Sequence, residues 1–159
     1  MKSLKIWSLV MLLAMAFVGC DNDVDMGGET MGGETPTPVQ TDIVGKWHLT
    51  SYCGATPEFD VYIEFTSKGK FNIYQQTWSF MYEHFSGTYT AENGILSGRY
   101  SDGSLWLAAY KFEVADSKLT LKNKKNLREL SIYDACVIPE EIIEEATATT
   151  RAEGAVPFL

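Results

Sequence analysis

The 159-residue sequence predicts an all-β fold: an eight-stranded antiparallel up-and-down meander that closes as a barrel, followed by one short helix. Three observations predict it. From Ile43 onward apolar residues recur at every second position, the period of a strand with one buried face. Turn-type clusters punctuate the chain at regular intervals. Every connection is short, whereas parallel neighbours need long crossovers, so successive strands must run antiparallel. Eight such strands close most naturally on themselves, which leaves no exposed edge; a two-layer sandwich is the alternative.

The first strand, over 43–53, sets Ile43, Gly45, Trp47 and Leu49 against Lys46, His48 and Thr50. The second, over 59–66, sets Phe59, Val61, Ile63 and Phe65 against Asp60, Tyr62, Glu64 and Thr66. In the third, over 70–78, Phe71 and Ile73 alternate with Lys70 and Asn72. Strands over 84–91, 94–100, 105–115, 118–123 and 127–136 complete the set. The punctuation between strands is Ser67-Lys68-Gly69, Glu92-Asn93-Gly94, Ser101-Asp102-Gly103, Asp116-Ser117 and Asn123-Lys124-Lys125-Asn126. Beyond Cys136, a proline at the first helical position (Pro139) with Glu140 and Glu141 in the first turn favours a short helix. Ile142 and Ile143 are placed to dock it on the barrel wall. Thr147 to Leu159 reads as a loose tail whose Val156–Leu159 end is apolar enough to pack.

The chain therefore divides into a leader (1–19), a linker (20–42), the barrel (43–137) and a helix with its tail (138–159). The leader carries Lys2 and Lys5 and then a run from Ile6 to Val18 that is apolar except for Ser8, the pattern of a secretory signal. The linker is acidic and glycine-rich, with the repeat Met26-Gly27-Gly28-Glu29-Thr30 and Met31-Gly32-Gly33-Glu34-Thr35 ahead of Thr35-Pro36-Thr37-Pro38. It cannot bury enough apolar area to offset its ordering entropy and reads as a tether. Asp21, Asp23 and Asp25 alternate, but they lack the central glycine and closing glutamate of a calcium loop. The formal net charge is −8, and residues 43–133 account for +1 of it, so the acidity lives in the two tails. No basic stripe exists to bind nucleic acid.

Phe17-Val18-Gly19-Cys20 resembles the bacterial lipobox, in which a small residue precedes a cysteine that is diacylated before cleavage. That resemblance implies lipidation at Cys20, with acyl chains (palmitate among them) holding the protein in the cell envelope without a transmembrane helix. The acids that follow Cys20 resemble the export signal of Gram-negative lipoproteins sent to the outer face of the outer membrane. A tether of this length reaches roughly 25 Å from the bilayer, taking about 5–6 Å times the square root of length.

Ile43-Val44-Gly45-Lys46-Trp47 followed by Leu49-Thr50-Ser51 resembles the opening strand of lipocalins and fatty-acid-binding relatives. Phe65-Thr66-Ser67-Lys68-Gly69-Lys70-Phe71 and Ser86-Gly87-Thr88-Tyr89-Thr90 resemble segments of the short lipocalin-like domains of bacterial lipoproteins. The resemblance implies that Gly45 and Trp47 form the barrel-base signature, the indole plugging the closed end. The lipocalin arginine that stacks over this tryptophan has no counterpart. Arg128, the one arginine at the eighth strand, starts at the end far from Trp47.

With Cys20 assigned to lipid, export would permit a disulfide between Cys53 and Cys136. The antiparallel ladder argues against it, because it puts the two near opposite ends of adjacent strands, roughly 20–30 Å apart. A bridge needs about 5.5 Å between Cα atoms.

Little supports catalysis. His48 and His84 lie on the polar parity of their strands, away from any cysteine or second histidine at metal-ligand spacing. No phosphate loop or nucleophile elbow is visible, and Asp60 with Glu64 reads as a solvated outer face. The expectation is a monomeric non-enzyme that uses no cofactor or metal.

With Trp47 at the closed end, the loops 53–58, 77–83, 101–104 and 123–126 surround the open end. Trp78, Phe80, Met81, Tyr82, Phe85 and Trp106 lie around them, with Lys122, Lys124 and Lys125. An aromatic rim with a few cations suits a small hydrophobic or amphiphilic ligand. The alternative is a surface interaction module whose rim rings, led by Trp78, Phe80, Tyr82, Phe85 and Trp106, contact a glycan or partner protein while the barrel is solid.

Overall fold

The computed structural model describes residues 41–148 and 154–159. The leader, Cys20 and the linker up to residue 40 lie outside the described residues. A single 3₁₀ turn, Thr41–Ile43, leads into eight strands: β1 (Gly45–Tyr52), β2 (Asp60–Phe65), β3 (Lys70–Gln76), β4 (Glu83–Glu92), β5 (Ile95–Tyr100), β6 (Tyr110–Ala115), β7 (Lys118–Asn123) and β8 (Leu130–Ala135). They pair antiparallel in sequence order and β8 returns to β1, so the meander closes as the alternation predicts.

Register keeps the apolar parity inside. Trp47 stands opposite Ile63 on one side and Ala135 on the other, Ile63 opposite Ile73, and Ile73 opposite Phe85. The core includes Trp47, Leu49, Val61, Ile63, Phe65, Phe71, Ile73, Phe85, Leu96, Leu119, Leu121 and Tyr133. Two hairpins are two-residue turns with both central φ positive, Asn93-Gly94 (52° and 72°) and Asp116-Ser117 (51° and 60°). This is the geometry whose twist matches paired strands.

Three local departures from strict alternation shape the open end. The ladder between β1 and β8 slips between Leu49 and Ser51, so Thr50 is the extra residue of a bulge. The slip inverts the parity that follows and turns Tyr52 toward the core, where its ring meets Phe59 at 5.7 Å. Residues 105–109, expected to begin the sixth strand, form a loop, and β5 pairs with β6 only at Ile95–Lys111 and Leu96–Tyr110. There Trp106 enters the barrel, its backbone N–H donating to the carbonyl of Gly98 at 3.0 Å. The eighth strand starts at Leu130 rather than residue 127, because the Asn123 side-chain oxygen accepts the N–H groups of Lys125 and Asn126 and curls the chain into a turn.

Helix α1 (Glu140–Ala148) lies against the outer wall, where Ile142 and Ala146, one turn apart, pack with Ile138 on Tyr74. Glu145 accepts the N–H of Tyr82 at 3.0 Å and ties the β3–β4 loop to the helix.

Candidate functional site at the barrel mouth

The two ends of the barrel differ. At the closed end the turns at 66–69, 93–94 and 116–117 are tight, and Trp47 is buried with its indole N–H donating to the carbonyl of Ile43 at 3.0 Å. Gly45 and Trp47 thus sit together at the base. At the other end lie the longer connections 53–59, 77–82, 101–109 and 124–129. Their tips expose Trp78 (82%), Phe80 (97%), Met81, Leu105, Leu107 and Leu127 to solvent. Side chain–backbone bonds hold this collar: Gln76 Nε2 donates to the carbonyl of Phe80 and Lys125 Nζ to that of Leu107.

Inside the collar the wall carries polar groups on the buried parity. Gln75 follows Phe71 and Ile73 on β3 and is fully buried. Glu83, its ladder partner on β4, is 3% exposed and precedes the inward-facing Phe85. Tyr100, at the end of β5, is buried with its ring against Phe71 at 5.5 Å.

These groups enclose the end of the chain. Gln75 Nε2 donates to the carbonyl of Val156 at 3.0 Å, and its Oε1 accepts the N–H of Phe158 at 2.8 Å. The second Nε2 hydrogen reaches Thr77 Oγ1 at 2.8 Å. The Tyr100 hydroxyl donates to the carbonyl of Leu159 at 2.6 Å, and Leu159 is buried in the core. The Phe158 ring lies 5.4 Å from Tyr52 and 5.6 Å from Phe59. The Val156–Leu159 end, apolar enough to pack, packs here and lines the mouth.

The five rim candidates part company. Trp78 and Phe80 stand on the collar. Phe85 does not: it is buried opposite Ile73, inside the wall. Trp106 does not either, because its chain segment folds inward and lays the indole against Phe71 (5.0 Å), Tyr110 (6.2 Å) and Phe65 (6.5 Å). Tyr82 turns to the outer wall, where its hydroxyl donates to Asp60 at 2.5 Å and its ring joins the cluster under α1. Burial, then the bond to Asp60, pushes the Tyr82 hydroxyl well above the usual phenol range.

Asp60 is less solvated than its parity implies, since it also meets His48 Nε2 at 2.6 Å while His48 stacks on Tyr62. Cys53 and Cys136 are free thiols. Cys53 N–H bonds to Leu130 and Cys136 N–H to Lys46, at opposite ends of the β1–β8 seam. Burial pushes the Cys136 thiol up, and the nearby Lys46 ammonium acts in the opposite sense. Among the described residues no three His, Cys, Asp or Glu side chains gather at metal-binding distance, and no helix is long and apolar enough to cross a membrane.

Sequence reasoning missed Gln75 and Glu83. The signal existed in the alternation, as a polar residue continuing the apolar parity of Phe71 and Ile73 and another opening that of Phe85.

Residues 43–121 match the family of lipocalin-like domains. Among solved structures, a lipoprotein YedD from Klebsiella pneumoniae is similar at 15% identity and a TM-score of 0.47, over 77% of this chain and 95% of that one. An uncharacterized protein from Bacteroides eggerthii is similar at 21% identity and a TM-score of 0.44, over 58% of this chain and 98% of that one. No curated protein matches the sequence. With the family match running from the entry to β1 into β7, and with β8 closing the barrel onto β1, this chain carries a lipocalin-like domain.

Proposed function

We propose that this chain is an envelope lipoprotein, acylated at Cys20, whose lipocalin-like barrel binds a small apolar or amphiphilic molecule at its mouth and does no chemistry on it. The observation that carries this reading is the convergence of two features at one end of the barrel. An exposed apolar collar of Trp78, Phe80, Met81, Leu105, Leu107 and Leu127 surrounds a buried wall bearing the polar groups of Gln75, Glu83 and Tyr100. Apolar surface with a few fixed polar groups is how small-molecule sites are built. Exposed apolar residues gathered in one patch mark binding surfaces more than scattered ones do. Native mass spectrometry of the untagged protein is the direct test, with a bound small molecule expected. A chain that takes up no apolar probe, and whose collar substitutions Trp78→Ala and Phe80→Ala change nothing, refutes it.

The second reading is an interaction module contacting a glycan or partner protein through the same collar. It is favoured by an interior crowded with the rings of Phe65, Phe71, Phe85, Tyr100, Trp106 and Tyr110. Loss of partner capture in Trp78→Ala with unchanged uptake of small apolar probes decides for the module. Anchoring is tested separately. Cys20→Ala should abolish palmitate labelling and release the protein from membranes, and protease shaving of intact cells reports whether it faces outward.

A further inference from the structure

At its mouth the barrel holds a segment of its own chain through backbone groups. Gln75 contacts the chain end as a neighbouring strand would, giving one N–H to the carbonyl of Val156 and taking the N–H of Phe158 two residues on. Between them stands Pro157, the one residue type with no N–H to satisfy. Tyr100 holds the next carbonyl, and Phe158 enters a cup made by Tyr52 and Phe59. Removing the segment takes away two of the three bonds that the Gln75 side chain makes. The resident segment is not a complete match. Glu83, 3% exposed and beside Gln75 on the ladder, makes no hydrogen bond or ion pair among the described residues. A carboxylate at the mouth with no such partner can pair with a donor or a cation that a ligand brings.

Resting on the mouth-binding reading above, we propose that residues Val156–Leu159 are a built-in occupant of a peptide-binding site, and that the exchangeable ligand is a short, extended, apolar peptide carrying an amine that pairs with Glu83. The inward Gln75 and Tyr100 form the backbone-reading part of the site. Glu83 is its specificity residue.

The test uses the full chain with a protease site inserted after Arg151, cleaved after folding. The fragment ending at Leu159 should stay with the barrel through gel filtration and exchange with a labelled peptide Ac-Ala-Val-Pro-Phe-Leu, at least tenfold more weakly in Gln75→Ala. A peptide carrying Val156→Lys should bind at least fivefold more tightly than its acetyl-lysine form, and Glu83→Gln should close that gap. If the cleaved chain loses its fold, the uncut Leu159→Asp chain, with the segment evicted, should take up the labelled peptide that the parent chain refuses. A fragment that leaves a still-folded barrel without rebinding overturns the proposal. Equal binding by parent and Leu159→Asp chains, or Lys and acetyl-lysine peptides of equal affinity, overturns it as well. A dansyl-labelled fatty acid separates the two levels. If it binds the evicted chain while the peptides do not, only the peptide inference fails; if nothing binds, the mouth reading itself fails.

Discussion

Gly98→Ala is a sharp probe of how the barrel interior is filled. A methyl group built on Gly98 would lie 2.3 Å from Trp106 Cε2, 2.6 Å from Cζ2 and 2.8 Å from Cδ2, well inside contact distance. Relief requires the indole to retreat by more than 1 Å, roughly the gap to an ordinary carbon contact near 3.5–4 Å. The indole has little room to do so, because the rings of Phe71 and Tyr110 pack on it. Overpacking of this kind costs roughly 1–3 kcal/mol. For a domain of this size that corresponds to a fall in Tm of roughly 4–15 °C. The companion substitution Gly45→Ala is the control, since a methyl there meets Trp47 no closer than 3.5 Å, an ordinary contact. Thermal unfolding followed by circular dichroism should therefore separate the two glycines. Gly98→Ala should be clearly destabilised, with the tryptophan emission shifted, and Gly45→Ala should lie close to the parent. A Gly98→Ala chain melting within 1 °C of the parent would falsify the inward placement of Trp106, for on an open rim the methyl would meet nothing.

Three further outcomes follow from local geometry. Ser117 holds a φ of 60° in a two-residue turn, so Ser117→Gly relieves left-handed strain and should stabilise the protein by about 0.5–1 kcal/mol in urea titration; a destabilised variant contradicts this account of the turn. Burial raises the Tyr89 hydroxyl from 10.0 to about 12, so the neutral form favours the fold. That contribution is fully present below pH 10 and is lost as pH climbs through the 10–12 window, so urea midpoints should fall there and fall less in Tyr89→Phe. A midpoint that holds flat to pH 12 refutes this linkage. Both thiols should alkylate without reductant, exposed Cys53 ahead of the less exposed Cys136, whose thiol burial pushes up; a mass two hydrogens short of the dithiol would contradict the free pair.

The alternation of Val61, Ile63 and Phe65, the Asn93-Gly94 hairpin and the proline before α1 were all legible, because each follows from chemistry local in the chain. Strand count, antiparallel order and closure rest on these alone. Side-chain placement at the mouth was not legible in the same way. Phe85 obeys the alternation and is buried by it, so its distance from the loop tip matters more than its aromatic character. Trp106 follows no period, because its position is decided by the space above Gly98 on another strand.

By itself, then, the sequence determined the barrel, the tight turns, the docking helix and the division of charge between tails and core. These depend on period, turn chemistry and composition, which neighbours along the chain settle. Only the tertiary structure decided what fills the open end. The slip at Thr50 turns Tyr52 inward, the inward parity of Gln75 and Glu83 becomes a polar wall, and residues 156–159, beyond α1 in the chain, meet it. Gln75 and Phe158 are 83 positions apart in the chain, and nothing local to either specifies the other. Their meeting is fixed by barrel closure, which brings distant parts of the chain to one end and leaves buried polar groups there that must find partners.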